Sequence, residues 1–205
     1  MSIKAKSNQG INPDAFRFAS RADYAWCCQR EMKLRFTSPH GQEPGLIASL
    51  LKQSYAELLE SDPEQWRSEV PKWEQFDREV FEYPETVGLC VFLSWFDDQL
   101  VGFGSYDPQQ KPESGIVGHN CVLPESRGRG FGKQQIQEII RRFRAMGIRL
   151  ARVSTGEHPF FIPAQRMYTA CGFQETGRRP WDGDPSQNLI EYEMRLDNQG
   201  AHATR

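Results

Sequence analysis

The chain has 205 residues and a formal net charge of −2, with 38% hydrophobic and 25% charged residues. That length fits one compact domain with a substantial core, and the near-neutral charge excludes a global attraction to nucleic acid or to an anionic membrane. No apolar run approaches the ~18 residues of a membrane-spanning helix and no secretory h-region follows Met1, so a cytoplasmic protein without a membrane partner is expected.

The first 30 residues read as an N-terminal extension, polar and aperiodic at its start, with a helix signal at Ser20 and Asp23 ahead of "RADYAWCCQREM". Residues 31–197 carry the periodic patterns of a folded domain, and 198–205 read as a polar tail. Within the domain, "KLRFT" alternates as a short strand. Pro44 opens a helix whose apolar positions Ile47, Leu50, Leu51, Tyr55 and Leu58 fall at helical spacing. A second helical stretch, "PEQWRSEVPKWEQFDREVFEY", places Trp66, Val70, Trp73, Phe76 and Val80 on one side, and Pro71 must kink or split it. From Val87 the period becomes two: "VGLCVFLSWF" and "LVGFGSY" are strands joined at a "DDQ" hairpin, and "GIVGHNCVL" is a third.

A helix then runs from about Gly130 to Met146, burying Ile136, Ile139, Ile140 and Phe143 and stopping at Gly147. "RLARVST" is a strand, "PAQRMYTAC" a short helix begun by Pro163, "GFQETG" a strand and "NLIEYEMRL" a final strand. The order is β-α-α-β-β-β-α-β-α-β-β, which predicts an α/β fold: a mixed central sheet of six to seven strands with flanking helices. Cys27, Cys28, Cys90, Cys121 and Cys171 show neither CxxC nor zinc spacing, so reduced thiols and no metal are expected.

The densest chemical signal is "CVLPESRGRGFGKQQIQEII", where Gly128, Gly130 and Gly132 alternate just before a helix. Glycines there let successive backbone N–H groups turn toward an anion, and the first helical turn adds unpaired N–H groups of its own. The stretch is neither a Walker loop, since Gln134 follows Gly132-Lys133, nor a dinucleotide fingerprint, since Lys133 stands at the third glycine and no acid lies near position 150. Arg127-x-x-Gly130-x-Gly132 behind "NCVLP" resembles the acyl-CoA loop of the GNAT superfamily of N-acetyltransferases, and Tyr168-x-x-x-Gly172-Phe173 is similar to a second element of that superfamily.

The resemblance spans about Lys33 to Leu196 and implies acetyl transfer from acetyl-CoA to an amine of a small molecule or peptide. It implies that Asn120, Cys121 and Val122 line the pantetheine arm, with an N–H near Val122 polarising the carbonyl. Arg127, Gly128, Arg129, Gly130, Phe131, Gly132 and Lys133 would hold the pyrophosphate, and Tyr168 would protonate the departing thiolate. One departure is Phe161, seven positions before the tyrosine, where the family often has Asn.

The base that frees the amine stays open in the sequence. Glu157 and His158 at the end of the fifth strand are the candidates placed in the catalytic set, and His119 on the fourth strand is another location. Cys121 reads either as an acyl-accepting nucleophile or, in the commoner case, as a small buried thiol. The early helices and the loop "GRRPWDGDPSQ" should build the acceptor pocket, with walls from Trp66, Trp73, Phe76 and Trp181 and a cation site at Asp182 and Asp184. Two rival functions remain: a non-catalytic acyl-CoA sensor, and a nucleic-acid binder using the arginines between Arg127 and Arg152. The expected partners are acetyl-CoA and the amine, with no nucleic acid and a homodimer compatible with the chain.

Overall fold

The structure, a computed structural model, describes residues 33–108, 110–181 and 184–196. The expected helix at "RADYAWCCQREM", the adjacent Cys27 and Cys28, the tail 198–205 and Asp182 lie outside the described residues. The elements in chain order are β1 (Arg35–Thr37), α1 (Leu46–Ser54), α2 (Ala56–Ser61), α3 (Pro63–Trp66), α4 (Val70–Glu82), β2 (Val91–Phe96), β3 (Gln99–Asp107), β4 (Ser114–Val122), α5 (Phe131–Ala145), β5 (Leu150–Gly156), α6 (Ile162–Ala170), β6 (Gln174–Trp181) and β7 (Asp184–Arg195). The seven strands form one mixed sheet in the order β1-β2-β3-β4-β5-β7-β6.

Each of the two expected early helices is broken in two. The first breaks at Tyr55, whose φ of −110° and ψ of 16° end α1 and start α2. In the second, Pro63 begins α3 and Pro71 falls in the first turn of α4, where its missing N–H and fixed φ are harmless. The start of the expected strand "VGLCVFLSWF" is a 3₁₀ turn over Gly88–Cys90. The loop expected at "GRRPWDGDPSQ" is instead mostly a β-hairpin, because β6 continues to Trp181 and β7 starts at Asp184. β6 is an edge strand, and Pro180 stands opposite Asn188, whose carbonyl accepts from Glu157 N at 3.1 Å on its other side, so by antiparallel alternation the missing N–H falls on the open edge.

Two apolar layers flank the sheet. On one face α5 presses Ile136, Ile139, Ile140 and Phe143 onto Phe92, Val117, Ala151 and Val153, and α6 adds Tyr168. Each of those four α5 side chains contributes about 1.5–3 kcal/mol by leaving water. On the other face the early helices bury Ile47, Leu50, Leu51, Trp66 and Trp73 against Leu93, Phe103 and Cys121. The buried Asp77 of α4 ties this layer together: it accepts N–H bonds from Gly45 at 2.6 Å, Ile47 at 2.8 Å and Ala48 at 3.2 Å. It thus caps α1, which has no cap of its own, from 30 residues away in sequence.

β4 is the strand that matters for function. It pairs with β5, its only parallel neighbour, through Ser114, Gly115 and Ile116 alone, and the two strands then part. A register shift against β3 between Gly104 and Tyr106 marks a bulge, and the freed His119 N–H donates to the buried Ser105 hydroxyl at 2.7 Å. Past the bulge Leu123 N donates to Val101 O at 2.9 Å. By antiparallel alternation Cys121 therefore also turns its peptide groups toward β3, while Asn120 and Val122 turn theirs into the gap left by β5.

Candidate active site

A cleft of about 640 Å³ runs through that gap. Nine of the ten residues expected along the coenzyme line it: Asn120, Cys121, Val122, Arg127, Gly128, Gly130, Phe131, Gly132 and Lys133. Its wall is completed by Ser54 and Tyr55 from the end of α1, by Phe160 and Phe161, and by Ala164 and Met167 of α6.

The glycine loop has the geometry that an anion needs. Gly128 and Gly130 have φ of 75° and 79°, a left-handed conformation that side chains resist. Gly130 is the N-cap of α5 and offers no side chain to the helix, and no acid occupies the first turn, so the leading N–H groups face the cleft unopposed. At Gly132 a Cβ would lie 3.1 Å from the Met167 sulfur, so glycine there also lets α6 approach.

The charged residues of the loop are committed in different ways. Arg127 donates from Nε to Val122 O at 3.2 Å and from Nη2 to Ser54 O at 2.5 Å, and its guanidinium lies 5.4 Å from the Phe160 ring centre. It joins β4, the C-terminal end of α1 and the turn before α6. Arg129 lies outside the cleft wall, over the rings of Phe96 at 4.5 Å and Phe131 at 4.8 Å. Phe131 itself buries its ring against Leu34 and Val101. Lys133 reaches the cleft.

None of the three expected catalytic side chains lines the cleft. Tyr168 is buried among Phe173 and Tyr192, each 6.0 Å away, and burial with nearby Cys121 pushes its hydroxyl well above the usual tyrosine range. Glu157 holds the sheet edge, accepting from Asn188 at 2.7 Å and pairing with Arg178. These bonds lower its pKa from the ordinary carboxylate value, which weakens it as a base. The His158 Nδ1 accepts from Phe160 N at 3.2 Å and caps the 3₁₀ turn that presents Phe160 and Phe161.

His119 is placed differently. It faces the early helices, with Phe76 at 5.2 Å and Phe103 at 6.1 Å, and desolvation draws its pKa down to about 4 against a small opposing pull from Glu69. Burial pushes the Cys121 thiol up to about 12, so it stays protonated and is unsuited to act as an acyl-accepting thiolate.

The sequence reading missed Ser54 and Tyr55. Tyr55 looked like one more apolar helical position, and only the break of the helix turns it toward β4. The aromatics expected to wall an acceptor pocket pack together instead: Trp66 lies 5.2 Å from Trp181 and 5.9 Å from Phe161, and Trp73 lies 5.2 Å from Tyr55. Several of the arginines that could have suggested nucleic acid are engaged. Arg141 and Arg142 pair with Glu138, Arg149 with Glu113 and Arg152 with Glu193.

The family model described as "Acetyltransferase (GNAT) family" matches residues 52–173, more than half of the chain and all of the cleft-forming loop. The chain belongs to the GNAT acetyltransferase family. Among solved structures it is similar to a GNAT-family protein from Desulfovibrio desulfuricans, with a TM-score of 0.63 at 18% identity, covering 80% of this chain and 99% of that one. It is also similar to a Bacillus subtilis acetyltransferase in complex with CoA, with a TM-score of 0.52 at 19% identity over 80% and 99% of the two chains. A Salmonella typhimurium protein solved with acetyl-CoA gives a TM-score of 0.53 at 16% identity over 84% and 98%. These likenesses speak for the fold. A search of curated proteins gave no match. Family membership supports acyl transfer from an acyl-CoA. Among the described residues, no helix is long and apolar enough to cross a membrane.

Proposed function

We propose that this GNAT protein transfers an acetyl group from acetyl-CoA to an amine of a small molecule or peptide, by direct attack of the amine on the thioester. The observation that carries this reading is the gap between β4 and β5, with the glycine loop and the N-terminus of α5 at one end and the Val122 N–H directed into it. The pyrophosphate lies on the loop amides and the pantetheine fills the gap beside β4. The Val122 N–H donates to the oxyanion as the carbonyl becomes tetrahedral. The amine nitrogen forms the new bond to carbon, the carbon–sulfur bond breaks, and the sulfur takes a proton from a tyrosine hydroxyl, for which the YxxxGF pattern assigns Tyr168. The amine proton leaves to water, with the neutral His119 on the same sheet face as Cys121.

Calorimetry with acetyl-CoA and CoA, followed by thiol release in the presence of a panel of primary amines, tests the reading. Micromolar coenzyme binding and amine-dependent thiol release are expected. Absence of any affinity for either coenzyme would overturn it, whereas binding without turnover with every amine would favour an acyl-CoA sensor.

A further inference from the structure

Gln135 is a polar side chain in an apolar place. It stands on α5 one turn from both Phe131 and Ile139, and like Ile136 beside it is fully buried against the sheet. Its Nε2 donates to the Ser94 hydroxyl of β2 at 2.9 Å and to the Cys121 carbonyl oxygen of β4 at 3.1 Å. A carbonyl only accepts, so the nitrogen must face Cys121, and the orientation of the amide is set by its partners. The Oε1 is buried and finds no partner among the described residues. An unpaired buried carbonyl carries a desolvation cost that a methionine or leucine at this position would not. The apolar layer alone gives no reason for an amide here.

The reason lies in the peptide group that the amide holds. The Cys121 oxygen lies against β3, since a Cβ on Gly102 would come within 2.0 Å of it. The Cys121–Val122 peptide is trans, so its N–H, which belongs to Val122, points the opposite way, into the gap where β5 has parted from β4. Gln135 thus holds the oxygen end of the plane whose hydrogen end faces the cleft. To do so its amide reaches across β3 at Gly102, which pairs with Ser94 on one side and Val122 on the other. The following peptide is pinned as well: Leu123 N donates to Val101 O at 2.9 Å, and Arg127 Nε donates to Val122 O at 3.2 Å. A hydrogen bond to a peptide oxygen also polarises the group and makes its N–H the stronger donor.

We infer that Gln135 is a positioning residue for acyl transfer: its buried amide fixes the Cys121–Val122 peptide so that the Val122 N–H is aimed at the acyl oxygen. The inference rests on the acetyl-transfer reading given above and adds to it a residue outside the cleft wall. An amide donor stabilises the transition state fully only if it already points where the negative charge forms. A plane that can rock must be reoriented during the reaction, and rate is lost without any change in how the coenzyme is held.

Gln135→Met keeps the length, helix preference and burial of the side chain but has no N–H to offer. The folded variant should show a kcat lower by about tenfold or more with whichever amine the panel selects, and a KM for acetyl-CoA within about threefold of the parent. CoA has no acyl oxygen, so its dissociation constant by calorimetry should also stay within about threefold. Ser94→Ala is the control for a purely structural role, because it removes the other partner of the same amide and leaves the bond to Cys121. Its kcat should stay within about threefold of the parent. Should Gln135→Met not fold, Gln135→Asn, one methylene too short to reach Cys121, carries the same expectations. Parental kcat in the Gln135 variant, a loss of CoA affinity matching the loss of kcat, or an equal loss of kcat in Ser94→Ala overturns the inference. Failure of the parent to bind CoA, or to turn over with any amine, would instead be the failure of the acetyl-transfer reading.

Discussion

The backbone N–H of His119 donates to the Ser105 hydroxyl at 2.7 Å, and this contact fixes the bulge that turns the imidazole toward Phe76. The same bulge sets which β4 residues point into the gap. One serine on β3 therefore supports both the orientation of a histidine and the direction of the Val122 N–H.

His119 should make the fold sensitive to acid. Its folded pKa lies near 4, below the ordinary 6.5, so the unfolded chain binds more protons between those values. Stability contributed by the neutral imidazole is full above about pH 6.5 and is lost as pH falls toward 4, by up to about 3 kcal/mol at ~1.36 kcal/mol per unit. Urea unfolding at pH 4.5 and pH 7 should show a smaller pH difference for His119→Gln than for the parent. Equal differences would place the acid sensitivity elsewhere.

Asp77→Ala leaves three N–H groups at the start of α1 without their carboxylate. Loss of a charged cap with buried donors costs about 2–4 kcal/mol. In a domain of this size the melting temperature should drop by roughly 2–4 °C per kcal/mol, so a fall of about 5–15 °C is expected in a thermal scan. A drop under 2 °C would mean that water replaces the carboxylate without penalty.

At Gly102 an added Cβ would sit 2.0 Å from the Cys121 carbonyl oxygen and 3.1 Å from the Val122 Cα, and the glycine has φ of 153°. Gly102→Ala therefore has to move β4 where it borders the cleft. Coenzyme affinity measured by calorimetry should fall at least tenfold in the soluble, folded variant. Parental affinity would show that β3 yields instead.

Arg127→Lys keeps the charge but cannot reach the Val122 and Ser54 carbonyls together while stacking on Phe160. The dissociation constant for CoA should rise about tenfold, corresponding to ~1.4 kcal/mol. If charge at the loop is all that matters, the two proteins will bind alike.

Much of this architecture could be read from the residues. The order of elements followed from periodicity and punctuation, since Pro63, Pro71, Gly147 and Pro163 mark helix boundaries in the structure as well. The cleft-facing part of the glycine loop was legible because left-handed backbone leaves a chemical trace at Gly128 and Gly130. Contacts across the sheet left no such trace. Tyr55 kept helical spacing with its neighbours, and nothing local announced the break that aims it at β4. The pairing of Glu157 with Arg178 and Asn188 joins three strands and has no local pattern. Pro180 and the surrounding glycines read as a loop because sequence does not reveal which strand will be an edge.

The three residue pairs that zip β4 to β5 give the sheet something like a seam. On one side lie β1 to β4, on the other β5, β7 and β6. A molecule lodged in the open part of that seam would touch both panels and tie their unfolding together. Its affinity then appears as added thermal resistance, growing with the logarithm of its concentration once the site is filled.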